Sequence, residues 1–291
     1  MNISMAHPLR PARRGRVIAL HCSGGSAGQW NTLAQMLADR YEVEAPEHYG
    51  CESTGMWSGE HAFTLDDEAT RTIALIDGSE GKVHLVGHSY GGGVALKAAL
   101  ARPDRIASMA LYEPTAFHLL RQMGGPGALA YAEIAGVAGR LCQGVMTGDY
   151  RAAVAAFIDY WNGPGAWEAM RPAAQNALIH WAPKGPLEFR AVMDEATPAS
   201  AYGALNFPVL VLRGEHAPMS TRLIAEGLSQ LLPTTRLMVV DGAGHMGPLT
   251  HAPVVSMPIM RHILEAEDRR AAVTLTPVDV VGAARPSRIC G

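Results

Sequence analysis

The chain lacks any run of about eighteen apolar residues, so no transmembrane helix is expected. No apolar stretch of the signal-peptide kind opens it. Cysteine is scarce: Cys22, Cys51, Cys142 and Cys290 form neither CxxC pairs nor a zinc-type spacing, so no metal is expected. A 291-residue chain can bury enough core to fold without disulfide staples, and a reducing cytoplasm is the expected compartment. Charge is also limited, at 18% of residues and a net −3, which implies neither nucleic acid nor a membrane surface as partner. The one basic stretch, Arg10 to Arg16, has no interleaved aromatics and no helical stripe, and reads as a solvated tail. No cofactor is implied. The expected partner is a small-molecule substrate, and the oligomeric state stays open.

What the chain has is alternation. Strand-like runs at Val17–Leu20, Tyr41–Ala45, Val83–Gly87, Ile106–Tyr112, Pro208–Leu212 and Arg236–Val240 alternate with helical patterns. The helices fall at Gly28–Arg40, Leu65–Ile76, Gly92–Ala101, Thr221–Leu231 and Val254–Glu265. This predicts an α/β protein with a mostly parallel central sheet and helices on both faces. Between Thr115 and Tyr202 no strand is expected, and Tyr150–Trp161, Ala166–Trp181 and Leu187–Glu195 look helical. The expected division is a core of residues 1–114 and 205–265, a helical cap of 115–204, and a tail of 266–291. The tail has no clear signal beyond strand-like composition over Val273–Val281. Phe157, Tyr160, Trp161, Trp167, Trp181, Phe189, Met123 and Met146 in the block could line an apolar pocket, although such residues taken singly are more often plain core.

One segment carries chemistry. Lys82-Val83-His84-Leu85-Val86-Gly87-His88-Ser89-Tyr90-Gly91-Gly92 is a buried-type strand, a Gly-x-Ser-x-Gly turn and a helix start with no gap. That arrangement lifts a serine hydroxyl out of a sheet on a strained turn, where it can act as a nucleophile. The pattern recurs at Gly24-Gly25-Ser26-Ala27-Gly28, but there three residues separate the strand from the serine. Ser26 and Gln29 are spaced as a capping box, which gives that serine a structural role. Ser89 is the expected nucleophile.

With Asp241-Gly242-Ala243-Gly244-His245 at the other end, the layout resembles the α/β-hydrolase family over roughly Arg16 to Glu265. The resemblance implies a Ser-acid-His order with His245 as base. His251 and His262 are the alternatives for the base, and His88 is expected to point away from the pocket. His216 falls where a pocket-edge residue would sit. Three departures are visible. Few residues precede the first strand, so the family's leading antiparallel hairpin is expected to be missing. The turn Gly214-Glu215-His216-Ala217 has alanine where the family commonly places its aspartate. A second placement, after the strand next to the nucleophile strand, holds Glu113, the first choice as acid; Glu215 is the runner-up. At the oxyanion hole, Tyr90 N–H is one expected donor. The family's His-Gly pair reads His21-Cys22 here, making Ser23 N–H the second donor.

The expected activity is serine hydrolase chemistry on a small hydrophobic ester, lactone or thioester through an acyl-enzyme on Ser89. A serine in the nucleophile position argues against epoxide hydrolase and haloalkane dehalogenase chemistry. Carbon–carbon bond hydrolysis and a ligand-binding protein with little or no turnover are the rival readings, the latter kept open by Ala217.

Overall fold

The computed structural model describes residues 15–51 and 53–275. Six short runs, mostly apolar except for β2, form the strands: β1 Gly15–Leu20, β2 Tyr41–Glu44, β3 Val83–His88, β4 Ile106–Tyr112, β5 Val209–Gly214 and β6 Thr235–Val240. They make one sheet in the order β2-β1-β3-β4-β5-β6, with every neighbouring pair parallel. Every residue of β3 and β4 is buried, as expected for central strands covered on both faces. The expected lack of a leading hairpin concerns residues 1–14, which lie outside the described residues.

Alternate strand residues feed two cores. Val17, Ala19, Val86, Ala110, Leu210 and Leu212 pack on α1 (Asn31–Leu37) and the final helix. Ile18, Leu20, Leu85, Met109, Leu111 and Val211 face the other side. There they meet α2 (Leu65–Asp77) and α3 (Tyr90–Ala101). Thr64 caps α2 with a reciprocal pair of hydrogen bonds to Asp67. Chain order reverses between β1 and β3, so the loops after these strands diverge and leave a crevice at their C-terminal ends.

Between β4 and β5 the described chain is helical: α4 Gly124–Thr147, α5 Tyr150–Asn162, α6 Ala166–Ala169, α7 Pro172–Trp181 and α8 Gly185–Met193, with short 3-10 turns. The single helix expected over Ala166–Trp181 breaks at Met170 and Arg171, both extended, because a residue before proline avoids the helical region. Helix α4 is absent from the sequence expectations. Its six glycines lower helix propensity and hide a buried stripe of Ala130, Ile134, Val137 and Leu141. One of them has a packing role: a Cβ at Gly144 would lie 2.4 Å from Ala153, so glycine lets α4 and α5 approach.

After β5 come α9 (Met219–Leu231), α10 (Gly247–Thr250) and α11 (Ala252–Leu275). Helix α11 passes the expected end at Glu265, and the strand-like stretch begins inside it; the remainder of that stretch and Cys290 lie outside the described residues. Glu265–Arg269 and Glu267–Arg270 pairs at helical spacing, with Glu267 3.2 Å from buried His84, support the extension. Among the described residues no helix is long and apolar enough to cross a membrane.

Candidate active site

Strand β3 ends at His88, and the next residue, Ser89, has φ 54° and ψ −119° before α3 begins at Tyr90. Such a turn works only where neighbouring side chains are absent. A Cβ on Gly87 would lie 2.6 Å from Gly91 O, and one on Gly91 would lie 2.4 Å from both Leu20 O and His21 O. These close approaches, rather than unusual dihedrals, require the two glycines. Ser89 Oγ projects to the sheet's C-terminal edge and lies 3.0 Å from His245 Nε2.

His245 sits in the loop after β6, on a short Gly-rich path that lets its ring turn back over the sheet. Its Nδ1–H donates to Glu113 Oε2 at 2.7 Å. Glu113, fully buried past the end of β4, also accepts from Gly214 N–H (2.8 Å, Oε1) and the Thr221 hydroxyl (2.7 Å, Oε2). Three donors therefore compensate the burial of this carboxylate. Glu215 is elsewhere: it is exposed, and its Oε2 accepts from Gly242 N–H at 2.8 Å. Serine, histidine and Glu113 form one continuous chain of hydrogen bonds, and Glu215 stands outside it.

The other flagged groups separate clearly. His88 is buried beneath His245, donating to its carbonyl from Nε2 at 2.9 Å. Burial, and then the proximity of His245, hold its pKa well below the ordinary 6.5. His262 is a buried residue of α11, and His216 is exposed. His251 pairs with the Thr250 hydroxyl at 2.8 Å. The expected Ser26–Gln29 capping box does not form. Gln29 Oε1 instead accepts the Cys22 N–H at 3.2 Å, a bond that orders the loop carrying Ser23. Cys22 itself is buried, and burial pushes its thiol up to about 12.

Tyr90 N–H occupies the first position of α3, where no intrahelical acceptor exists. Ser23 and Ser89 line the same cavity. That cavity, about 320 Å³, is walled by Phe157, Ile158, Trp161, Met170 and Leu178 from the helical block, with His245, Met246 and Leu249 opposite. Of the aromatic and methionine residues flagged in the sequence, Phe157 and Trp161 line it, and Phe189 lines a smaller recess beside Ser89. Met146 is exposed. Trp161 stacks on the His245 ring with centroids 4.0 Å apart and planes 28° from parallel.

Below the site lies a buried charge cluster that no sequence pattern announces. Glu68 of α2 accepts from the Tyr90 hydroxyl (2.8 Å) and from Lys184 Nζ (2.7 Å). Lys184 also lies 3.4 Å from Glu188, and all three charged side chains are buried. Burial pushes the Glu68 carboxyl up, but His48 and then the Lys184 ammonium more than offset it and hold the group well below its ordinary value. The cluster ties the helical block to the residue following Ser89.

Comparison with known proteins agrees with this layout. The family model described as alpha/beta hydrolase fold matches residues 15–252. A pimeloyl-[acyl-carrier protein] methyl ester esterase of Aeromonas hydrophila subsp. hydrophila is 26% identical over 262 residues, covering 85% of this chain and 94% of its own. Among solved structures, the enol-lactonase of Burkholderia xenovorans LB400 superposes with a TM-score of 0.62 at 16% identity, covering 86% of this chain and 91% of that one. A hydrolase from Oleispira antarctica gives 0.69 at 15% identity, over 86% and 91% of the two chains.

Proposed function

This chain belongs to the alpha/beta hydrolase family, and from that premise we propose that it is a serine esterase acting on a small carboxylic ester with an apolar acyl group. The observation that carries the reading is the Ser89–His245–Glu113 hydrogen-bond chain, with distances of 3.0 and 2.7 Å, at the base of an apolar cavity. His245 Nε2 takes the Ser89 proton as Oγ attacks the ester carbonyl. Glu113 stays ionised, fixes the ring tautomer and stabilises the imidazolium that forms. The N–H groups of Ser23 and Tyr90 receive the developing oxyanion, aided by the positive end of α3. His245 then gives its proton to the departing alcohol, and a water deprotonated by the same nitrogen releases the acid from Ser89.

Residues 115–204 act as a cap in this reading, since Phe157, Ile158, Trp161 and Leu178 supply the apolar wall over Ser89. A cavity of about 320 Å³ suits a compact or medium-length acyl chain better than a long one. The methyl ester chemistry named for the Aeromonas relative supports an ester over a lactone or thioester. Free Cys22, Cys51 and Cys142 fit a reducing cytoplasm.

The test is a series of p-nitrophenyl esters from acetate to decanoate, with Ser89→Ala as control. The expected result is turnover that peaks at short to medium chains and disappears in the variant. A folded protein that hydrolyses none of them, or a Ser89→Ala variant of equal rate, sinks the proposal.

A further inference from the structure

We propose that His21, Glu47 and Cys51 form a binding site for a divalent transition cation of the zinc class, on the side of the oxyanion loop away from the substrate cavity. Three unlike donors converge there. His21 Nε2 lies 3.0 Å from Glu47 Oε2, Cys51 Sγ lies 3.3 Å from the same oxygen, and all three atoms fall within 4.8 Å of one another. Nitrogen, carboxylate oxygen and sulfur together are a borderline-soft set, which suits Zn²⁺ and disfavours Mg²⁺ or Ca²⁺.

The donors are already aimed. Glu47 Oε1 accepts the Ala27 N–H at 2.9 Å, which turns Oε2 toward the other two. His21 Nδ1 is 2.8 Å from Cys22 O, and a carbonyl only accepts, so the ring proton is on Nδ1. This backbone carbonyl partner is the outer-shell contact that fixes the tautomer of metal-bound histidines. Nε2 is buried, lies 3.0 Å from Oε2 and has no partner besides that carboxylate among the described residues. A bare nitrogen lone pair held beside a carboxylate is the arrangement a cation resolves.

Glu47 and Cys51 are half-buried, which leaves a fourth position for water. Binding replaces the Cys51 thiol proton, which passes to solvent, by the metal–sulfur bond. The ion would tie the loop after β2 to His21, whose carbonyl accepts the Gly91 N–H (3.1 Å) and His48 Nε2–H (3.0 Å). It takes no part in acyl transfer, so the site stands or falls apart from the esterase reading.

The full chain, stripped with chelator and then dialysed free of it, is titrated with Co²⁺ and followed by absorbance. One equivalent is expected to give a near-ultraviolet thiolate-to-cobalt charge-transfer band, abolished by Zn²⁺ and unaffected by excess Mg²⁺. Cys51→Ser should remove the band, and Glu47→Gln should weaken binding at least about 10-fold, the loss that even outer-shell changes cause. Cys142→Ser should leave both untouched. The metal-free melting temperature of each variant shows that it is folded, and Zn²⁺ should raise it for the parent chain but not for Cys51→Ser. No charge-transfer band, or a band that survives in folded Cys51→Ser, overturns the site in favour of a plain hydrogen-bonded cluster.

Discussion

Ser89 and Glu113 are the only two non-glycine residues with positive φ among the described residues, at 54° and 43°. They stand one step beyond the last register pair of adjacent strands, His88 and Tyr112, and Ser89 N–H bonds Tyr112 O at 3.0 Å. Each such conformation costs on the order of 1–3 kcal/mol and persists only where the surroundings enforce it. The sheet therefore bends two neighbouring strand ends sharply and aims a hydroxyl and a carboxylate at one histidine between them.

Replacing Glu113 tests its role as the acid. Glu113→Gln is expected to lower kcat at least about 100-fold, because a neutral amide neither stabilises the imidazolium nor fixes its tautomer. The amide NH₂ must also face one of the donors Gly214 N–H, Thr221 O–H or His245 Nδ1–H, so a loss of about 1–3 kcal/mol in stability accompanies it. Glu215→Gln should change kcat little. Steady-state kinetics on both variants, with melting curves, decide it; the reverse ranking removes Glu113 from the mechanism.

Trp161 makes a second prediction. Its ring braces His245 from one side, so Trp161→Ala should lower kcat by about 10- to 100-fold through misplacement of the base. Trp161→Phe should retain most of the rate. An alanine variant with unchanged kcat and a raised KM would make this residue a pocket wall alone.

The elbow and the final loop were legible because their chemistry is local. Gly87 and Gly91 are fixed by backbone approach, and the strand before Ser89 is a continuous apolar run. Glu113 was readable only by combining a gap at Ala217 with a carboxylate at the end of β4. Its partners Gly214 and Thr221 come from β5 and α9, far along the chain, and no spacing joins them. The stack of Trp161 on His245 and the Glu68–Lys184–Glu188 cluster are likewise products of how the helical block lands on the sheet. Helix α4 was hidden by its own glycines, which serve packing against α5 and so lower the local propensity that a sequence reading uses. The Ser26–Gln29 box failed for a related reason: Gln29 has a tertiary partner, Cys22 N–H, that outcompetes the local one.

Lys184→Met should expose the cost of the buried cluster. It leaves Glu68 and Glu188 without their ammonium partner in a site closed to water, and a loss of about 3–5 kcal/mol is expected. Urea denaturation gives the value, and a stability equal to that of the parent chain would show that the carboxylates find other compensation.

Stability should fall on mild acidification. Burial is the largest cause lowering the pKa values of His21, His88, His118 and His262, the last to about 4, all below the ordinary 6.5. A lowered folded-state pKa means the unfolded chain binds the proton first, so this stability is full above about pH 6.5 and is lost as pH falls. Glu68, Glu195 and Glu267, also lowered, extend the loss below the ordinary carboxylate value of 4.5. Each histidine contributes a slope of up to about 1.4 kcal/mol per pH unit. Denaturation at pH 7.5 and pH 5 should show the drop, smaller in His262→Gln; a chain equally stable at both contradicts it.

The central claim is that Ser89 is an activated nucleophile, and fluorophosphonate labelling followed by intact-protein and peptide mass spectrometry tests it most directly. The account predicts a single adduct on the peptide carrying Ser89, formed in step with loss of esterase turnover and absent from Ser89→Ala. A folded chain that takes up no label, or takes it up at another residue while turnover persists, contradicts it.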